Sequence, residues 1–137
     1  QDYVLQVGTF AANPVSCVAA LETIHQMREP GVYEQMFSTG NKLRKTLADL
    51  LSNAEIPHQI IGEDVLFDVF FTNEEVYDYR SSLKGDSAKM SRFNQILLDN
   101  GIFKGTTKFY FSTEHNEKDS ELTIAAFHKA ADEISNG

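Results

Sequence analysis

Gly8-Thr9-Phe10-Ala11-Ala12-Asn13-Pro14 is the stretch of this chain whose residue types and spacing most invite chemistry. Asn13 can cap a helix through its side-chain carbonyl, and Pro14 suits the first helical position, where no backbone N–H is needed. Before that cap stand a glycine, a hydroxyl and several backbone N–H groups. A loop of this kind entering a helix N-terminus can hold a phosphate or another anion, because donors and helix dipole converge there. An ordinary capped helix with a threonine in its approach loop accounts for the same seven residues. Residue types alone leave both readings open.

Other chemistry is sparse. His25, His58, His115 and His128 are dispersed, with no paired metal-ligand spacing and no serine or cysteine in a nucleophile elbow. His58 reads as a strand-edge residue and His115 as a structural hydrogen-bonding one. The single cysteine, Cys17, permits no internal disulfide. Standing among Val15, Val18, Ala19 and Ala20, it is expected to be a small buried packing residue. Of the eight lysines, Lys42, Lys45, Lys89, Lys118 and Lys129 fall on expected helices as solvated charges, and Lys84 lies in a polar loop.

The net charge of −8 argues against nucleic acid, which demands concentrated Lys and Arg. Hydrophobic content of 42% and charged content of 23% are those of an ordinary globular domain, and 137 residues can bury a core. No apolar run has the length of a bilayer span and no signal peptide opens the chain, so a cytoplasmic setting is expected.

The elements that must position the Gly-Thr loop follow from periodicity. Residues 1–7 form an alternating lead-in, and residues up to about 13 should be poorly anchored unless another chain covers them. Pro14 to about Arg28 is a helix with Cys17, Leu21, Ile24 and Met27 at helical spacing, widened by Val15, Val18 and Ala19. Glu29-Pro30-Gly31 breaks it. A second helix runs from about Val32 to Ala54 on Tyr33, Met36, Phe37, Leu43, Leu47, Leu50 and Leu51, with Gly40 on the same stripe marking a close neighbour. Lys42-Leu43-Arg44-Lys45 reads as its solvated face.

His58–Ile61 and Val65–Thr72 read as strands joined by a turn at Gly62-Glu63-Asp64. Val65, Phe67, Val69 and Phe71 line one face, and Asp68 is the polar exception on the other. A short helix is expected around Glu75 to Tyr79, then a mobile Ser81–Gly85 stretch. Asp86 or Ser87 caps a third helix carrying Met90, Phe93, Ile96 and Leu97, stopped by Asn100-Gly101. Residues 102–104 and 108–112 are strand-like. Asn116 caps the last helix, which packs through Leu122, Ala126, Ala130 and Ile134. The fold class is α+β: a small, mainly antiparallel sheet of about three or four strands with helices packed on one face, preceded by a long helix.

Gly8-Thr9-Phe10-x-x-Asn13-Pro14, followed by Arg28-Glu29-Pro30-Gly31-Val32-Tyr33, resembles the class III pyridoxal-phosphate aminotransferases, within them the glutamate-1-semialdehyde aminomutase-like group. Leu66–Thr72, Asp99-Asn100-Gly101-Ile102-Phe103 and Ser112-Thr113-Glu114-His115 match that family's later segments in order and spacing. The resemblance implies the C-terminal small domain of a fold-type-I transferase over residues 29–137. Residues 1–28 would be the end of the large domain and the interdomain helix. It also implies pyridoxal 5'-phosphate as cofactor, a homodimer, a small-molecule amino donor and acceptor, and an N-terminal large domain as partner. Thr9 would bond the cofactor phosphate across the dimer, Gly8 would admit the backbone closely, and Phe10 would pack nearby.

The family's catalytic lysine lies upstream of the Gly-Thr motif, so no catalytic residue is expected here and the chain alone should be inactive. The Gly105-Thr106-Thr107 loop departs from the family pattern, being shorter and lacking its usual Pro-Ser and Phe-Glu residues. Lys104 and Lys108 flank this loop and are candidates to meet a substrate carboxylate. Were the chain a complete product, a non-catalytic α+β module that binds a ligand or partner would be the alternative.

Overall fold

The computed structural model describes Gly8 and residues 10–135. The expected lead-in over residues 1–7 lies outside the described residues. Two compact units divide the chain, one through Tyr33 and one from Glu34 onward.

The first unit holds α1 (Pro14–Met27). Asn13 caps it as expected, its side-chain oxygen accepting from the N–H groups of Val15 and Ser16 at 3.0 and 3.3 Å. No residue of α1 is buried. Cys17, expected in a packed interior, is exposed. Its apolar neighbours Val15, Val18 and Leu21 are exposed with it.

The second unit carries the core. Helix α2 (Val32–Asn53) buries Met36, Gly40, Leu43, Leu47 and Leu51, while Tyr33, on the expected stripe, stays exposed. Two strands follow, β1 (Gln59–Glu63) and β2 (Leu66–Phe70), then a single turn α3 (Tyr79–Ser82), α4 (Ser87–Asp99), β3 (Phe109–Tyr110) and α5 (Glu117–Ser135). The three strands form an antiparallel sheet in the order β1-β2-β3. Phe67, Val69 and Phe71 turn to the helices, as their alternation requires. There Phe71 meets Phe93 of α4 edge-on, and Phe109 meets Phe127 of α5. Ile61, Leu66 and Tyr110, on the other face, remain exposed.

Several boundaries and one packing position differ from expectation. Gly62 is not in the turn: it pairs with Phe67 inside the β1–β2 ladder, so only Asp64 and Val65 connect the strands. Its φ is +122°, and a Cβ there would lie 2.3 Å from the Leu66 carbonyl oxygen, so the strand itself requires glycine. The short helix falls at Tyr79–Ser82 instead of 75–79, because Asp78 caps it by accepting from the Ser81 N–H at 2.7 Å. Ser81 is consequently buried and bonded, not part of a loose stretch. Residues 102–104 are not a strand: the Ile102 N–H closes the end of α4 on the Leu97 carbonyl at 2.9 Å. On α5, Phe127 takes the central packing place and Leu122 is half exposed.

Gly40 is the close approach that its position on the stripe predicts. A Cβ would fall 1.9 Å from the Asp64 carbonyl oxygen, so α2 lies directly against the hairpin turn. Asn41 and Arg44 bond the Asp64 carboxylate at 3.0 and 3.1 Å, and Arg44 reaches the Ile60 carbonyl. Residues 42–45 are therefore not a plain solvated face. Lys42 pairs with Glu117, Leu43 is buried, and Arg44 clasps the hairpin.

Candidate functional site

The Gly-Thr loop folds as a turn over Phe10–Ala12, closed by an Ala11 N–H bond to the Gly8 carbonyl at 3.0 Å and an Asn13 N–H bond to the Phe10 carbonyl at 3.1 Å. Ala12 adopts a φ of +58°, uncommon for a residue with a Cβ. Thr9 lies outside the described residues. Gly8 is exposed, and Phe10 is exposed at 73%.

This geometry leaves the helix end itself without donors for an anion. Val15 and Ser16 donate to Asn13, Cys17 donates to the Asn13 carbonyl, and Pro14 has no donor. The first turn of α1 is thus consumed by its own cap. The donors left are in the approach: among the described residues, nothing accepts from the N–H groups of Phe10 or Ala12. A Cβ on Gly8 would meet Ala11 Cβ at 3.7 Å, an ordinary van der Waals contact, so among the described residues nothing crowds that position. A glycine, two amides without an acceptor among the described residues and a hydroxyl residue next in sequence are a donor set that suits a phosphate.

The two loop lysines separate. Lys104 is buried against Asp68 at 3.1 Å, its side chain 0% exposed, and is not presented to a substrate. Lys108 is exposed. The Asp68–Lys104 pair is the feature that periodicity missed, although a lone acid in the apolar Leu66–Phe70 strand was its signal. His115 plays the structural part expected of it, its Nδ1 accepting from the Ser112 N–H at 3.0 Å. His58 Nδ1 lies 2.8 Å from the Ile56 carbonyl, just before β1. Among the described residues no group of three His, Cys, Asp or Glu side chains could hold a metal, and no helix is long and apolar enough to cross a membrane.

Comparison with known proteins defines the class. No family model matches the chain. An omega-transaminase from Sphaerobacter thermophilus superposes with a TM-score of 0.84 at 28% identity, over 98% of this chain and 31% of its own. A transaminase solved with PLP bound gives a TM-score of 0.77 at 25% identity, over 97% and 30%. The chain thus has the fold of the C-terminal part of the class III pyridoxal-phosphate aminotransferases. Within that class its curated homologues are glutamate-1-semialdehyde 2,1-aminomutases. That of Methanothermobacter thermautotrophicus is 33% identical over 137 residues, 98% of this chain and 31% of the relative. The chain therefore spans about a third of the length of the curated relatives it matches.

Proposed function

We propose that this chain is the small-domain and cofactor-bracing part of a pyridoxal-phosphate-dependent aminotransferase or aminomutase. The intact enzyme would move an amino group from an amino acid to a carbonyl compound, or shift it internally as a glutamate-1-semialdehyde 2,1-aminomutase does. The observation that carries this reading is the similarity over nearly the whole chain to enzymes of that kind. Pyridoxal phosphate, when bound, supplies an electron sink for the carbanion formed at the substrate carbon.

The part of these residues is to bind and orient. Thr9 would donate from its hydroxyl and backbone N–H to the phosphate of cofactor held by a partner subunit of a homodimer. Gly8, having no side chain, would let the backbone approach that phosphate closely, and Phe10 would pack beside it. The amides of Phe10 and Ala12, without an acceptor among the described residues, support this assignment. None of the eight lysines stands in the motif context of the catalytic one, so the isolated chain would not catalyse the reaction. Residues 29–137 would form the small domain against an N-terminal large domain of the intact enzyme.

Thr9→Val in the full-length enzyme tests the assignment. A hydrogen bond to a charged group contributes about 1.5–3 kcal/mol, so cofactor affinity should fall about 10- to 150-fold. Thr9→Ser should be mild. The readouts are cofactor dissociation constants and the melting temperature of the apo-protein, which should not move. Wild-type affinity with an earlier apo melt would make Thr9 merely part of a helix approach.

A further inference from the structure

Among the described residues, Asp68 and Lys104 form the ion pair most fully removed from water, with side chains 9% and 0% exposed and Nζ 3.1 Å from Oδ1. Neither residue belongs to the proposed cofactor contact. Their place in the sheet explains what they do. Strand β3 pairs Phe109 with Phe67 and Tyr110 with Leu66, then stops. The next rung would set Lys108 opposite Asp68. Lys108, however, has a φ of +59°, in the left-handed region, and cannot extend the ladder. Lys104 arrives there instead, its ammonium against Asp68 and 5.1 Å from the centre of the Phe109 ring. The loop Gly105–Lys108, exposed throughout, is thereby anchored at both ends on one spot of the sheet: by Lys104 before it and by buried Phe109 after it.

Burial alone gives no reason for charges here. Apolar residues of similar volume in place of a buried pair are often neutral or stabilising. A left-handed non-glycine residue, by contrast, persists only where its surroundings over-determine it. We propose that the Asp68–Lys104 pair is a clamp that holds the Gly105–Lys108 loop in one conformation, with Lys104 a positioning residue and not a ligand-binding cation. The two partners are unequal. Asp68 Oδ1 also accepts from the Val69 N–H at 2.9 Å, whereas Lys104 Nζ has no aligned hydrogen bond among the described residues. Removing the acid therefore strands a buried cation, while removing the lysine leaves the acid with a partner.

The test is a double-mutant cycle in the full-length protein: Asp68→Leu, Lys104→Met and both together. Thermal melting and the rate of tryptic cleavage after Lys108, followed by mass spectrometry, are the two readouts. Asp68→Leu should lower the melting temperature most, Lys104→Met less, and the double variant should return close to wild type. Cleavage after Lys108 should nevertheless be about tenfold faster in every variant, the double included, because local opening is set by contacts at the loop and not by global stability. Wild-type cleavage in a double variant of recovered stability would overturn the clamp, as would purely additive melting shifts. Should Asp68→Leu fail to fold, Lys104→Met decides against wild type: faster cleavage supports the clamp and an unchanged rate overturns it.

Discussion

Helices α1 and α2 both carry apolar residues at helical spacing, and they meet opposite fates. The 22-residue α2 buries Leu43, Leu47 and Leu51 in a core shared with Phe67, Phe93 and Phe127. The 14-residue α1 buries nothing, and Leu21 is 67% exposed. Periodicity states which face of a helix calls for burial; it does not state whether the covering surface belongs to the same stretch of chain. Close contacts tell the two apart. A Cβ on Gly40 of α2 would run into a backbone carbonyl, whereas one on Gly8, ahead of α1, would make only ordinary van der Waals contact with Ala11.

The largest effect that contrast predicts is in the core. Phe127→Ala should destabilise the second unit by about 3–5 kcal/mol, whereas Leu21→Ala in α1 of this 137-residue chain should stay within about 0.5 kcal/mol. Denaturant unfolding of both variants measures the difference. The same Leu21→Ala in full-length protein sharpens the comparison, since a core-sized loss there would show α1 covered by the remainder of the molecule.

The two glycines provide a smaller contrast. Gly40→Ala should cost about 1–3 kcal/mol through overpacking, despite the roughly 1 kcal/mol that alanine gains in helix propensity. The neighbour it meets is the Asp64 backbone, which has no flexible end to give way. Gly8→Ala should leave thermal stability unchanged. Equal melting temperatures for the two variants would break the comparison.

The smallest effect is local and depends on pH. The Ser81 backbone N–H and hydroxyl hold the Asp78 carboxyl below its ordinary value. A lowered folded-state value means that the stabilising contribution is present above the unfolded value and is lost as pH falls through the folded one. The α3 cap should therefore persist below the usual aspartate range. The Ser81 amide chemical shift, followed by NMR during acid titration, checks this, and a midpoint at or above the ordinary value would contradict it.

The elements were largely legible because each rests on short-range physics. Asn13-Pro14, Asp86 and Asn116 announce helix starts through their side chains, and all three cap as expected. The alternation of Phe67, Val69 and Phe71 announces a half-buried strand. Boundaries slipped where one residue type serves two purposes. Glycine marks turns, yet Gly62 marks a crowded rung of a ladder, and Ile102 looks like the start of a strand while it closes a helix.

The Gly-Thr motif was legible as a possible phosphate loop, but its donors could not be assigned from residue types. Only the folded backbone shows that Asn13 uses the helix's own N–H groups, while those of Phe10 and Ala12 before it find no acceptor among the described residues.

Sequence by itself thus determined the α+β class, the order of the long helices and of the β1–β2 hairpin, the Gly40 contact and, through spaced motifs, the resemblance to aminotransferases. Those depend on residues close along the chain or on motif order, which a linear reading carries. Tertiary structure alone decided that Cys17 is exposed, that Arg44 clasps a hairpin, and that Lys104 is spent on Asp68, 36 positions away, while Lys108 is displayed. Each depends on which surfaces meet across long separations. A charge or an apolar face specifies what kind of partner it requires, and only the fold supplies or withholds one.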